Sequence, residues 1–326
     1  MGKRLSVDDK LAALRLLRDQ PVSPETTAEL RRALGDRSNL VVASAAAIAG
    51  EHRLVDLATE LEASFKRFLT DPEKSDKLCR AKLAVVQALD KLDHDGPDVF
   101  LQAARHVQME PVWGGEVDTA APLRAAGVFA LARIGYSGML PLLVDALTDP
   151  EKEVRLAAAQ ALAEHATETA CLLLRLKARL GDPDPEVVSE CLYGLLSGTL
   201  RESLSFVSEF LDSKAVGARE AAILALGKSR LPEAFDVLKT CWQRDVLGQV
   251  RAETLLAMAM LRLPAATDFL LEVVATEHES TALQALGSLL IHRHDPRLRE
   301  HLAAAVQKNN SRALRAKFER DFSSDD

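Results

Sequence analysis

The residues of this chain whose types could do chemistry are few and scattered. Cys79, Cys171, Cys191 and Cys241 stand far apart. A structural zinc site draws its thiolates from close pairs of the CxxC kind, and none occurs. The four are expected to be small core thiols in a reducing compartment. His292, His294 and Asp295 form the tightest group of metal-ligating types. Three neighbours in one turn make a poor ligand set without residues converging from other elements, so neither a metal nor a cofactor is expected. A Gly-rich phosphate loop, GxSxG and HExxH are all absent from the sequence, which removes the common phosphoryl-transfer, serine-hydrolase and zinc-protease motifs.

The chemistry left is recognition. Trp113, one of only 2 tryptophans, stands among Glu110, Glu116 and Asp118. Tryptophan is enriched in binding hot spots. Residues 108–118 also contain Pro111 and Gly114-Gly115, which oppose a regular helix. The segment is expected to project as an insertion whose Trp113 binds a partner, or to fold back so that Trp113 fills a gap.

The elements that must carry these residues are helices. Hydrophobic residues make up 48% of the chain but aromatics only 4%, so the core is built from Ala, Leu and Val. Small side chains let helix axes approach closely, and no alternating run of β-formers stands out. One helix type recurs: Leu123-Arg124-Ala125-Ala126, Val154-Arg155-Leu156-Ala157-Ala158, Ala218-Arg219-Glu220-Ala221-Ala222 and Val250-Arg251-Ala252-Glu253. Cys79-Arg80-Ala81 is a further copy, and Val41-Val42-Ala43 and Val187-Val188-Ser189 lack the Arg. The central copies repeat about every 31–32 residues, enough for two helices and two turns. Partner helices are predicted at 139–147, 170–180, 203–211, 233–242 and 267–275. Asp71-Pro72, Asp149-Pro150 and Asp182-Pro183 open helices, since Asp caps and Pro suits the first turn. Gly135, Gly198, Gly227 and Gly287 are expected to close them in the left-handed conformation. Leu156, Leu162, Leu172, Leu174, Leu256, Leu261 and Leu263 are expected between the layers.

On the run Val154 to Leu162, the run Leu123 to Gly135 and the run Ala218 to Gly227, the chain resembles HEAT repeats of the short bacterial, phycobilin-lyase type. The resemblance covers roughly residues 25–307. It implies an all-α fold, a right-handed α-α superhelix of about eight to nine helix pairs, each pair burying the apolar stripe of the next. Residues 1–24 are then an N-terminal capping helix, 25–307 the repeat solenoid, and 308–326 a C-terminal capping helix with a frayed tail. Families of this kind place a ladder of Arg–Asp pairs between units. The resemblance assigns Arg80, Arg124, Arg155, Arg219 and Arg251 to that ladder, paired with turn residues such as Asp149 or Asp182.

Some proteins of this type are enzymes. Deoxyhypusine hydroxylases hold two irons with His-Glu pairs at helix starts. Here the only His-Glu is His278-Glu279, and the matching positions carry Arg, so that site is not expected. DNA glycosylases of HEAT type use a basic groove with aromatics. This chain carries 41 Lys+Arg against 48 Asp+Glu, a net charge of -7, and so offers little for neutralising phosphates. Nucleic-acid binding and phycobilin-lyase activity stand as the alternatives. The principal expectation is a non-catalytic scaffold that binds a protein partner on its concave helix face, through Glu190, Glu220 and Glu253, and at the 108–118 loop, through Trp113, Glu110 and Glu116. No apolar leader or bilayer-length stretch is seen. Met1-Gly2-Lys3-Arg4-Leu5-Ser6 fits the loose acylation pattern but reads more simply as an ordinary N-terminus, so a cytoplasmic protein with no membrane partner is expected.

Overall fold

A computed structural model describes residues 5–198, 200–245 and 247–322. Most of the acylation-type motif and the tail 323–326 lie outside the described residues. Two compact units are present, Met1–Ala161 and Leu162–Asp326. Helices in chain order in the first are α1 (Val7–Arg18), α2 (Pro24–Leu34), α3 (Asn39–Glu51), α4 (Ala58–Phe68), the single turn α5 (Pro72–Ser75), α6 (Arg80–Lys91) and α7 (Pro97–Ala104). Two strands follow, β1 (Met109–Val112) and β2 (Gly115–Asp118), then α8 (Ala121–Arg133) and α9 (Met139–Leu147). The division between units falls within α10 (Lys152–His165). The second unit holds α11 (Glu168–Leu180), α12 (Pro185–Gly198), α13 (Leu200–Glu209), α14 (Val216–Ser229) and α15 (Pro232–Arg244). It continues through α16 (Arg251–Leu261), α17 (Pro264–Thr276), α18 (Glu279–Ser288), α19 (Pro296–Asn309) and α20 (Arg312–Asp321).

The architecture is an all-α repeat. In the first unit α3, α6 and α8 pack side by side, and α2, α4 and α7 each cover one of them. In the second, α12, α14, α16, α18 and α20 form the equivalent row, with α11, α15, α17 and α19 packed on it. The row helices carry the Ala-rich copies of the repeat, and their alanines are almost wholly buried: Ala45 and Ala46, Ala81 and Ala88, Ala221, Ala222 and Ala225, Ala257 and Ala259. Among the described residues no helix is long and apolar enough to cross a membrane.

Several local expectations need correction. Of the four glycines expected to end helices, only Gly135 is left-handed, at φ 64°. Gly227 lies inside α14 because that helix runs on to Ser229 and closes on Arg230, at φ 54°. What Gly227 supplies is space, since a Cβ there would stand 2.7 Å from the Ala257 Cα of α16. Leu162, Leu174 and Leu261 are buried as expected, but Leu172 and Leu256 face solvent. On α11 the inward ridge is Ala170, Leu174 and Ala178. Two residues on from Leu174 is about 200° round the helix, at roughly 100° per residue, which turns Leu172 and Leu176 outward. The group His292, His294 and Asp295 is spent on structure. His292 Nε2 bonds the Ala259 carbonyl at 2.8 Å, Arg293 Nε donates to His294 Nε2, and Asp295 accepts from the Arg297 and Leu298 amides that open α19.

Candidate functional site

The segment 108–118 is neither a bare loop nor a helix but an antiparallel hairpin. Met109 pairs with Asp118, Glu110 with Val117, Pro111 with Glu116 and Val112 with Gly115. Trp113-Gly114 forms the turn, with Gly114 at φ 95°, a conformation that glycine adopts without steric cost. The two ends of the hairpin differ in chemistry. At the tip Trp113 is fully exposed with the exposed Val112 next to it, and Val117 and Met109 are exposed further toward the root. Trp113 does not fold back into the repeat. At the root, Gln108 and Glu110 are buried.

Gln108 is the hub of the root. Its Oε1 accepts from Lys82 Nζ at 2.9 Å, Cys79 Sγ at 3.2 Å and His106 Nε2 at 3.3 Å. Its Nε2 donates to the Asp76 carbonyl at 2.9 Å and to Glu110 Oε1 at 2.7 Å. Glu110, 8% exposed, also accepts from the Leu78 amide at 2.6 Å and from Thr119 Oγ1 at 2.8 Å. All three bonds converge on Oε1, so that oxygen is spent on fixing the hairpin root. Leu78 and Cys79 both take left-handed φ, 61° and 50°, an arrangement β-carbon residues adopt only when held. The Glu110 bond to Leu78 N–H and the Asp76 bonds to Ala81 and Lys82 N–H hold this turn.

The cations of the repeat obey one rule of geometry. Arg124 Nη1 meets Asp118 Oδ2 at 2.6 Å, Arg155 Nη1 the Asp149 carbonyl at 2.9 Å, Arg219 Nη1 the Ser213 carbonyl at 2.8 Å and Arg251 Nη2 the Asp245 carbonyl at 3.2 Å. Each of these four acceptors lies 6 residues before its Arg, and Arg155 Nη1 also reaches the Pro150 carbonyl at 2.6 Å. In the preceding unit the rule selects Lys82, whose Nζ is 3.3 Å from Asp76 Oδ2, both side chains 0% exposed. Arg80, assigned to the ladder from sequence, is exposed at the start of α6. It lies one residue on from a left-handed turn, and the inward position falls two residues later. Lys82, Arg124 and Arg219 also reach a turn further along the chain: Lys82 to Gln108, Arg124 bidentate to Asp149 at 2.9 Å, and Arg219 to Gln249 at 2.6 Å.

Residues 116–188 and 173–259 match the family model described as HEAT repeats. Residues 116–259 are HEAT repeats. No curated protein matches the chain in sequence. Among solved structures, the complex of CpcE and CpcF of phycocyanin lyase from Nostoc is similar at 19% identity over 89% of this chain and 96% of that one, with a TM-score of 0.36. Human deoxyhypusine hydroxylase in complex with glycerol is similar at 18% identity over 90% and 92%, with a TM-score of 0.31.

Within the HEAT stretch, Glu190, Glu220 and Glu253 lie on α12, α14 and α16, which pack in sequence. Their surroundings differ. Glu190 is buried and accepts from Lys228 Nζ at 3.0 Å, Glu220 is half-buried and Glu253 is exposed. Asp182 receives Lys177 at 2.9 Å. Trp242 packs edge-on against Phe269 at 5.4 Å, with the Arg251 guanidinium 5.3 Å from its ring. The cysteines are free thiols, and burial pushes Cys79 up to about 11 and Cys191 up to about 12, so both stay protonated at neutral pH.

The hairpin root titrates in a definite direction. Burial would raise the Glu110 carboxyl, but the bonds from Thr119, the Leu78 amide and Gln108 outweigh it and hold the group below its ordinary value. Asp118 behaves alike: burial opposes ionisation, while the Ala120 and Gln108 amides and Arg124 favour it more. Depressed folded-state values mean stability that is complete above the unfolded carboxylate range, about pH 4, and lost as pH falls through the folded values. The thermal midpoint, followed by circular dichroism, is expected to hold between about pH 7 and 5 and to drop below about pH 4. The drop should be smaller in Glu110→Gln, which has no carboxyl to protonate. A midpoint that rises on acidification would contradict this assignment.

Proposed function

We propose that the chain is a non-catalytic scaffold that captures a protein partner with the tip of the 109–118 hairpin. The observation that carries the reading is a fully exposed Trp113 on a hairpin whose root is buried and hydrogen-bonded. Exposed apolar surface of this kind marks contact sites, and a rigid mount reduces the ordering cost of binding. Val112 and Val117 would flank Trp113 in the contact, with Glu116 at the rim. The row α12, α14 and α16 supplies a second surface, where Glu253, the half-buried Glu220 and Glu190, already paired with Lys228, face a partner's basic groups. In this reading residues 25–307 are the repeat body and the end helices at 1–24 and 308–326 cover it. The free thiols suit a cytoplasmic setting.

Catalysis fits less well. The second unit has an open cavity of about 600 Å³ whose mixed lining includes Asp212, Arg219, Asp236, Val237, Cys241 and Leu247. Arg219 there is engaged with Ser213 and Gln249, and burial raises the Cys241 thiol, the opposite of an activated nucleophile.

The test compares wild-type and Trp113→Ala chains immobilised in a native lysate, with retained proteins quantified by mass spectrometry. A partner held by the wild type is expected to fall by at least about tenfold in the variant, the loss of a hot spot, with the thermal midpoint unchanged because Trp113 packs on nothing. Equal retention by the two chains refutes the role of the hairpin.

A further inference from the structure

We propose that the outward face of α11 is a docking surface for an acidic amphipathic α-helix of a partner protein. The face is a second site, independent of the hairpin. An outer helix of a repeat ordinarily turns polar residues to water. On α11 the inward ridge of Ala170, Leu174 and Ala178 is buried, yet the opposite ridge is also apolar. Leu172, Leu176 and Leu180 are 61%, 56% and 76% exposed. They follow one another at i, i+4 and i+8, a straight apolar ridge about 12 Å long at the helical rise. A ridge of that spacing packs into the groove between side-chain rows of another helix, a better match than an extended strand with its two-residue period.

The charge beside the ridge selects the partner. Arg175 and Arg179 form a parallel row along one flank. The Arg175 guanidinium lies 3.9 Å from the centroid of the Phe206 ring and that of Arg179 lies 4.7 Å from it. Arg179 is paired with Glu209 at 2.7 Å, at the surface. Arg175 has no carboxylate partner among the described residues. Stacking on Phe206 holds the two cations side by side without neutralising Arg175, so a carboxylate on the covering helix completes the contact. On the other flank Lys177 is already matched by Asp182. The surface therefore favours a helix with apolar residues at i, i+3 or i+4, and i+7, bordered on one side by Glu or Asp.

The probe is a fluorescein-labelled helical peptide of leucines at that spacing bordered by glutamates, with a control in which lysines replace the glutamates. Anisotropy is read against the full chain at low salt. The glutamate peptide is expected to bind at least about tenfold more tightly than the lysine peptide, as charge juxtaposition requires. Leu176→Glu should weaken it by about tenfold or more, and Arg175→Glu should reverse the preference. Both positions are exposed, so an unchanged thermal midpoint shows that these variants fold. No binding, equal binding of the two peptides, or glutamate-peptide binding indifferent to both substitutions overturns the proposal. A concentration-dependent dimer in sedimentation equilibrium that Leu176→Glu dissolves overturns it too, because a second copy of the chain then covers the ridge.

Discussion

Arg124→Leu is expected to lower the free energy of unfolding by about 3–5 kcal/mol, the range for breaking a buried ion pair from one side. Arg124 is 3% exposed and spends its guanidinium on four bonds: two to Asp149, one to Asp118 and one to the His106 carbonyl. Burial alone would lower its pKa, but the bonds to Asp149 and Asp118 raise it. Leucine replaces the stem and none of the charge. It leaves the Asp118 and Asp149 carboxylates, 7% and 14% exposed, without their cation. Backbone amides at Gln108, Ala120 and Glu151 still serve those carboxylates, which keeps the loss within that range. Urea denaturation measures it. Arg80→Ala is the comparison: an exposed Arg outside the ladder should change stability by no more than about 0.5 kcal/mol. A loss under about 1 kcal/mol for Arg124→Leu would mean that the pair is not a structural member of the fold.

Two glycine substitutions of identical chemistry should act with opposite sign. Gly227→Ala is expected to cost about 1–3 kcal/mol, as overpacking does. Its new methyl would stand 2.7 Å from the Ala257 Cα and 2.8 Å from the Ala257 carbonyl oxygen. Those are backbone atoms of α16, so the whole of α14 must shift to admit it. Gly287→Ala, also inside a helix, meets nothing nearer than Lys317 Cε at 3.9 Å. There the gain in helix propensity should dominate, a stabilisation of up to about 1 kcal/mol. Thermal unfolding of the two variants decides the matter, and a gain from Gly227→Ala would refute the close approach of α14 and α16.

How far the sequence could be read follows from where each signal resides. The helix pairs were legible because the Ala-rich copies with Arg124, Arg155, Arg219 and Arg251 recur at nearly constant spacing, and that recurrence is a property of the packing itself. Lys82 is hidden in the sequence because the recurring residue type is Arg. The real regularity is a distance of six residues to a turn acceptor, which Lys82–Asp76 satisfies and Arg80 does not. The hairpin was legible only as a break in the period. Pro111 and two glycines hide its β character, and the buried Gln108 that anchors it is a polar residue with no pattern to announce it. Nothing local separates the buried Glu110 from the exposed Glu116, because burial is decided by neighbours distant in the chain, Leu78 among them. The outward turn of Leu172 is hidden for a related reason: an apolar ridge on each side of α11 looks the same in sequence, and only packing tells inside from outside.

The double grip of Arg124 also limits where this chain can be cut. Its guanidinium holds Asp118 ahead of its own helix and Asp149 after the following one. A fragment that stops at the end of α8 or α9 would keep the arginine and discard one of its two acids. Truncations and domain fusions should therefore end beyond Pro150, carrying that turn along, even though the nearest helix boundary offers a tidier place to stop.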